Sequence, residues 1–462
     1  MTMKLNRRQL LATGTAFAAL GATPGVAGAK YDLNANVADI QLLPEKYGKT
    51  RIWGFEGIAP GPEIRVTQGT RIQRRLVNNL PDATSTHWHG IRIDNAMDGV
   101  AGLTQDAIAP GASFDYDFTV SDAGTYWYHA HNRSFEQVAR GLHGALIVDE
   151  PDPLDIDREE VLILDDWLVD PETAQIADTF GAMHDLSHAG RLGNYITTNG
   201  QYNLAKQVKR HDRLRLRLIN ASNARVFQLA LDGLEGWIVA LDGMPLTQPM
   251  KVEGPFLLAP AQRIDLIADV TAETSGAGHI IQIDRNESFS QVAFEVAGDA
   301  SRVRREAPKP LPPNAHAMPD LAEPRSMELR MEGGAMGGMR GAIMGGRMSS
   351  MRDMMRAGNF WAFNGSVGGM DGEPFAKLTR GETVRLQIIN DTAFPHGMHL
   401  HGMHFYEIEP DGSLGARRDT TLLDRGTTQE IAFVADNPGK WLLHCHMLSH
   451  AASGMMTWID VA

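Results

Sequence analysis

An all-β fold of three consecutive Greek-key β-barrel or β-sandwich domains is what this sequence predicts, on three observations. A strand-like stretch recurs as GTRIQRRLVNNL (69–80), HDRLRLRLINAS (211–222) and GETVRLQIINDT (381–392), each with a polar lead-in, alternation and a closing apolar-Asn pair. The copies lie 142 and 170 residues apart, which is domain spacing. Between them, short alternating runs are separated by Gly, Pro, Asn and Asp turns with little helical periodicity, the pattern of Greek-key sandwiches and barrels. At 462 residues the chain is too long for one core, and its 43% apolar residues suffice to fill several.

Taken in order, residues 1–29 read as a cleaved export signal: NRRQLL, an apolar run from Leu10 to Val26, then Ala27-Gly28-Ala29 as a small-residue cleavage site. The Arg7-Arg8 pair marks a twin-arginine signal, so folded export to the periplasm is expected. No later apolar run approaches a membrane span, which predicts a soluble mature protein. That protein carries 40 basic against 56 acidic residues, a formal charge of −16. Such a balance argues against nucleic acid and anionic membrane surfaces as partners and is compatible with attracting metal cations. The single cysteine excludes an internal disulfide, so core packing and metal binding must hold the fold.

The first domain is expected over 30–152. Its repeat strand is followed by HWHG (87–90) and AGTYWYHAH (123–131). The second is expected over 153–308, bounded by DEPDPLDID (149–157) and the proline-rich 307–324. In its repeat strand Leu214, Leu216 and Leu218 share one face and Arg213, Arg215 and Arg217 the other, but no paired histidines follow. The third, 309–462, again follows its repeat with paired histidines, HGMHLHG (396–402) and PGKWLLHCH (438–446). Metal chemistry is therefore assigned to the first and third domains, which should meet face to face, with the middle one a spacer or substrate wall.

The segment HCHMLSHAASGM (444–455) holds the only cysteine, three histidines and a methionine, and soft sulfur with imidazole suits copper better than calcium or magnesium. On a strand ending at Cys445, His444 and His446 would face one way and Cys445 the other, so one strand could serve two metal sites. Ten of the seventeen histidines fall in four clusters, too many together with the sulfur ligands for one zinc site. His404 is expected to support the third cluster from outside, and His143, His211, His279 and His316 to be structural or solvent-facing. His184 and His188, at i, i+4, read as a plain surface pair.

In these motifs, H-x-H-G, H-x-H, H-x-x-H-x-H and H-C-H-x3-H-x4-M in order, the chain resembles the three-domain multicopper oxidases, over essentially all of 30–462. The resemblance implies cupredoxin-like domains and four copper ions. By motif position it places type 1 copper on His396, Cys445, His450 and axial Met455, and type 2 on His87 and His399. The type 3 pair falls on His89, His129, His131, His401, His444 and His446. It further implies that a reductant gives electrons singly at type 1 copper, where His450 or His396 would reach toward the surface. They then pass through Cys445 to His444 and His446, and dioxygen is reduced to two waters. Asp98, in MDGVAGLTQ, matches an acid that relays protons to the cluster in this family. Ser449 and Ala451 flank His450, where the copper-tolerance members often place an acid.

From Met327 to Met355 there are nine methionines in 29 residues, and the insert 327–356 looks like that of bacterial periplasmic cuprous oxidases. A thioether surface for Cu(I), folded back over His450 and His396, is the functional reading; a methionine-rich lid over a groove is the plain one. Two features count against Cu(I): the tract's arginines outnumber its acids, and Thr392 and Phe394 stand where those relatives place Asp and Met ligands. The sequence thus predicts a monomeric, laccase-like cuprous oxidase using dioxygen, Cu(I) and phenols for copper detoxification. A general laccase and a copper-storing protein are the alternatives.

Overall fold

The computed structural model describes residues 31–285, 287–298 and 303–462; the export signal lies outside them. Among the described residues, six larger sheets form three pairs, each pair a cupredoxin-like sandwich. The first comprises two four-stranded sheets from strands between Tyr31 and Asp149. The second and third each pair a six-stranded with a five-stranded sheet, from strands between Arg158 and Val296 and between Arg325 and Val461. No described helix is long and apolar enough to cross a membrane.

The sequence repeat is a structural repeat. Arg71–Asn78, Arg213–Asn220 and Thr383–Asp391 each lie inside their sheet, parallel to the strand that opens the domain (Tyr31–Ile40, Arg158–Trp167, Arg325–Gly333) and antiparallel to a later one. The closing asparagine is buried in every copy and ties the corner that follows. Asn78 Nδ2 donates to the carbonyls of Asp82 and Ile108, Asn220 to those of Arg225 and Leu258, and Asn390 to those of Phe394, Leu423 and Asp424. Each Oδ1 accepts the backbone N–H two residues on, an Asx turn.

In the middle copy Leu214, Leu216 and Leu218 fill the second domain's core. The arginine face is buried too. Arg215 pairs with Glu150 and Asp265 at 2.8 Å, and Arg217 donates to Thr125 Oγ1 at 2.9 Å, so the charged row is a seam against the first domain. A guanidinium tolerates such burial only when its donors are paired.

Alternation also delivers the histidines. Thr86–His89 pairs antiparallel with Gly124–Ala130, setting His87 opposite His129. His396–Leu400 pairs with Gly439–Cys445, setting His399 opposite His444 and Met398 opposite Cys445. The first and third domains meet across these strands, with a hydrophobic core cluster continuous between them.

Candidate metal centre

Two buried donor sets lie on opposite sides of the strand Gly439–Cys445. In the first, the Nδ1 atoms of His396 and His450 are 3.1 Å apart, and Cys445 Sγ is 3.5 and 3.8 Å from them. Hydrogen bonds fix which ring nitrogens carry protons. His450 Nε2 donates to the His188 carbonyl at 2.7 Å. His396 Nε2 donates to Thr392 Oγ1 at 2.8 Å, whose own proton goes to Asn390 Oδ1 at 2.7 Å. Both Nδ1 atoms are therefore lone pairs facing one another beside a thiol. Burial pushes the His450 imidazole down to about 4, His396 well below its usual range, and the Cys445 thiol up to about 12. Met455, fully buried, joins this set through its backbone, donating to the His450 carbonyl and accepting from the Cys445 N–H, both at 3.0 Å.

The second set gathers eight histidines from both outer domains. His131, His401 and His444 bring ligating atoms within 4.8 Å of one another, as do His87, His399 and His401, and His87, His89 and His129. His129 Nε2 is 3.4 Å from His446 Nε2. The Nδ1–H groups of His87, His129, His399 and His444 donate to the carbonyls of Asp98, Ala130, Asp419 and Cys445 at 2.8–3.1 Å. His401 Nδ1–H donates to the Asp98 carboxylate at 3.1 Å. The opposite nitrogens point inward as lone pairs: His401 and His444 Nε2 stand 3.1 Å apart, and His87 and His399 Nε2 have no partner. Lone pairs that converge with no proton between them call for a cation. Burial, with neighbouring imidazoles adding to it, holds His129, His401, His444 and His446 well below their usual range and His131 at about 3, so the rings are neutral and ready to ligate.

Asp98 is fully buried between the outer domains, its carboxylate 3.2 Å from His87 Nδ1 as well as beside His401. Gly99 has φ +85°, and a Cβ there would lie 1.8 Å from the Thr86 carbonyl oxygen, so the Asp-Gly pair is dictated by the approach of this loop to the His87 strand.

Models of the multicopper oxidase family match residues 36–153, 158–292 and 347–462. Multicopper oxidase MmcO of Mycobacterium tuberculosis is 32% identical over 437 residues, covering 87% of this chain and 81% of that one. The chain belongs to the multicopper oxidases. As a multicopper oxidase it is an oxidoreductase of a family acting on copper or phenols, and the family implies copper cofactors. Among solved structures it is similar to Lac15 from a marine microbial metagenome, at 40% identity and a TM-score of 0.77 over 94% of this chain and all of that one. It is also similar to a multi-copper oxidase from Pseudomonas Thermotolerans, at 32% identity and a TM-score of 0.80 over 94% and 99%. Copper resistance protein A of Escherichia coli is 26% identical, over 94% of this chain and 93% of its own.

The site of this multicopper oxidase departs from the sequence expectation in four ways. His396 and His450 do not reach the surface; both are completely buried. What covers His450 is the middle domain, through the His188 carbonyl beyond the short helix Met183–Ser187, with the Trp361 ring 4.5 Å from the His450 ring. His188 is thus no plain surface residue, although its stacked neighbour His184 is 75% exposed. The methionine tract meets this cover rather than forming it: the Ala335 N–H donates to the Ser187 carbonyl at 2.7 Å.

Nor is the middle domain only a spacer. Its Arg263 is buried against Asp419, which lies 3.2 Å from His89 Nε2 and 3.5 Å from His399 Nδ1. Burial works against ionising Asp419, but Arg263 and His89 outweigh it and hold the carboxyl well below its usual range. Sequence reasoning missed both residues. The acid sits in GARRDTT, which reads as a hairpin arm, and the arginine 156 positions away. His404 does stand behind the cluster, its Nε2 3.8 Å from Asp419. His143, expected to be structural or solvent-facing, is buried against Asp165 at 3.0 Å.

Proposed function

We propose that this chain is a periplasmic, monomeric cuprous oxidase and phenol oxidase that carries four coppers and detoxifies copper. The arrangement supporting the reading is the pair of donor sets joined by one residue: Cys445 faces His396 and His450, while its own carbonyl accepts the His444 Nδ1–H at 2.9 Å. On this reading His396, Cys445, His450 and Met455 hold type 1 copper and His87 and His399 hold type 2. His89, His129, His131, His401, His444 and His446 hold the type 3 pair. The coppers supply one-electron acceptance at the cysteine site and four-electron reduction of dioxygen to water at the histidine cluster. Domains of 30–152, 153–308 and 309–462 follow the repeat, behind a twin-arginine signal at 1–29.

The residues' own tasks follow from their contacts. Thr392 and the His188 carbonyl hold the Nε2 protons of His396 and His450, leaving Nδ1 to ligate. Asp98 holds the Nδ1 proton of His401 and is the group placed to pass protons to the cluster. Trp361, packed on both type 1 imidazoles, keeps water from that side.

The nine methionines do not act alike. Met331 and Met354 are core residues, whereas Met336, Met348 and Met355 are 81, 76 and 40% exposed. Met336 follows Ala335, whose N–H meets the Ser187 carbonyl beside the segment over His450, and the three exposed thioethers form the proposed Cu(I) surface. Replacing these three by Leu should lower Cu(I) oxidation efficiency at least about tenfold and leave phenol oxidation and copper content unchanged. Unchanged Cu(I) oxidation would favour a general laccase; lost copper binding with unaltered rates would favour storage.

A further inference from the structure

Arg263 and Asp419 meet where the three domains converge. All five guanidinium N–H groups are used, and no two of the domains alone supply their acceptors. Nε donates to the Thr125 carbonyl of the first domain at 3.1 Å. Nη1 and Nη2 donate to the Ala261 and Asp242 carbonyls of the second at 3.1 and 2.9 Å. The remaining two go to the carboxylate of Asp419 in the third, at 2.9 and 2.5 Å.

Asp419 in turn carries two histidines of the cluster: its carbonyl accepts the His399 Nδ1–H at 2.8 Å, and its Oδ1 accepts the His89 Nε2–H at 3.2 Å. That second contact sets His89 apart. His87, His129, His399, His401 and His444 spend Nδ1–H on an oxygen and present Nε2, whereas His89 spends Nε2–H on Asp419 and leaves Nδ1 buried without a partner.

The chain next to His89 is shaped around the same ion pair. Gly90 has φ +84°, and a Cβ there would lie 2.3 Å from Arg263 Nη2 and 2.7 Å from Asp419 Oδ2. The glycine that ends H-x-H-G makes room for the guanidinium and carboxylate.

We infer that Arg263 is a positioning residue of the copper cluster, supplied by the domain that bears no ligands: acting through Asp419, it orients His89 to ligate through Nδ1 and fixes His399 beside it. Without the guanidinium, the buried Asp419 carboxylate loses its charge partner and its two-point fixation, and with them goes the orientation it gives His89 and His399.

The inference rests on the histidine cluster holding copper, and the test separates the two. Arg263→Met, Arg263→Lys and Asp419→Asn are purified copper-loaded beside wild type. Copper per chain, the blue absorption of the cysteine site, the near-ultraviolet absorption of the coupled pair, the type 2 electron-paramagnetic signal and dioxygen consumption are compared. Arg263→Met should keep the blue band and its rate of reduction by Cu(I) within about twofold. It should lose at least half of the near-ultraviolet absorption, alter the type 2 signal, and slow dioxygen consumption about 10–100-fold, the range for outer partners of metal-bound histidines. Arg263→Lys, keeping the charge without the fork, should fall between, and Arg263→Met with Asp419→Asn should lose no more than the worse single variant. A merely structural arginine would lower the thermal midpoint and leave the cluster's spectra and turnover unchanged, and that outcome overturns the inference. If the Met variant does not fold, the same comparison on Arg263→Lys decides. A wild type without copper at the histidines would instead defeat the reading of the cluster itself.

Discussion

Asn220 and Asn390 occupy equivalent corners, so Ala in either place removes matching bonds, with one more carbonyl tie at Asn390, yet only the second corner holds a proposed copper ligand. Asn220→Ala removes the Nδ2 donor from the carbonyls of Arg225 and Leu258 and the acceptor from the Ser222 N–H, all paired at 2.8–3.0 Å, with the Ser222 hydroxyl left to serve the Arg225 carbonyl. At about 1–3 kcal/mol for each buried group left unpaired, with incomplete additivity, the cost is about 4 kcal/mol. For a domain of this size that corresponds to a fall of about 8–16 °C in thermal midpoint, at about 2–4 °C per kcal/mol. Asn390→Ala should cost a similar amount and do one thing more. Asn390 Oδ1 takes the Thr392 hydroxyl proton at 2.7 Å, which makes Thr392 an acceptor for His396 Nε2–H at 2.8 Å. Freed of Asn390, that hydroxyl is left between the Phe394 carbonyl at 3.1 Å and His396 Nε2, and each time it donates to the imidazole the ring proton moves to Nδ1, on the side of Cys445. Scanning calorimetry and visible spectra of both variants make the comparison: both midpoints fall, and only Asn390→Ala weakens or shifts the blue band. A midpoint for Asn220→Ala within 2 °C of wild type, or equal spectral change in the two variants, would refute the reasoning.

Two further outcomes are expected. Asp98→Asn should keep the blue band and its rate of reduction by substrate but slow dioxygen consumption about 10–100-fold, since the amide can accept from His401 yet cannot pass a proton; unchanged turnover at saturating reductant removes Asp98 from the mechanism. Asp166, buried against Arg225 and the Gly193 N–H, is pushed by burial from 3.8 up to about 6, those partners offsetting only part. The folded state therefore holds this proton more tightly than the unfolded chain, so the group's contribution to stability is fully present below pH about 4 and lost as pH rises through about 6. The whole shift corresponds to about 3 kcal/mol, of which wild type should lose about 2 relative to Asp166→Asn between pH 4 and 6.5 in urea titrations; parallel curves would refute the assignment.

The histidine motifs were legible because their physics is local: i and i+2 share a strand face, so His87 with His89, or His444 with His446, announce a shared site wherever the strand is placed. The recurring asparagine was visible as a repeat, but its work was not, since the carbonyls that Asn220 ties lie 5 and 38 residues on. Arg213, Arg215 and Arg217 alternate with leucines as a solvated strand face would, and only their distant partners, Asp265 and Asp269 of the same domain and Glu150 of the first, show that the row is buried. The reach of His450 toward solvent failed for the same reason: what covers it comes from 262 positions away. Arg263 and Asp419 left one trace, the glycine after His89, which sequence alone cannot tell from an ordinary turn.

The account stands on two copper-holding donor sets on either side of Cys445, and the most direct measurement is the copper content and visible spectrum of the purified, copper-loaded protein beside Cys445→Ser. Wild type should bind about four coppers per chain and show an intense blue thiolate-to-copper band, and the serine variant should lose the band, about one copper and all turnover while keeping the copper of the histidine cluster. A serine variant that stays blue, or a colourless wild type with full copper, would contradict it.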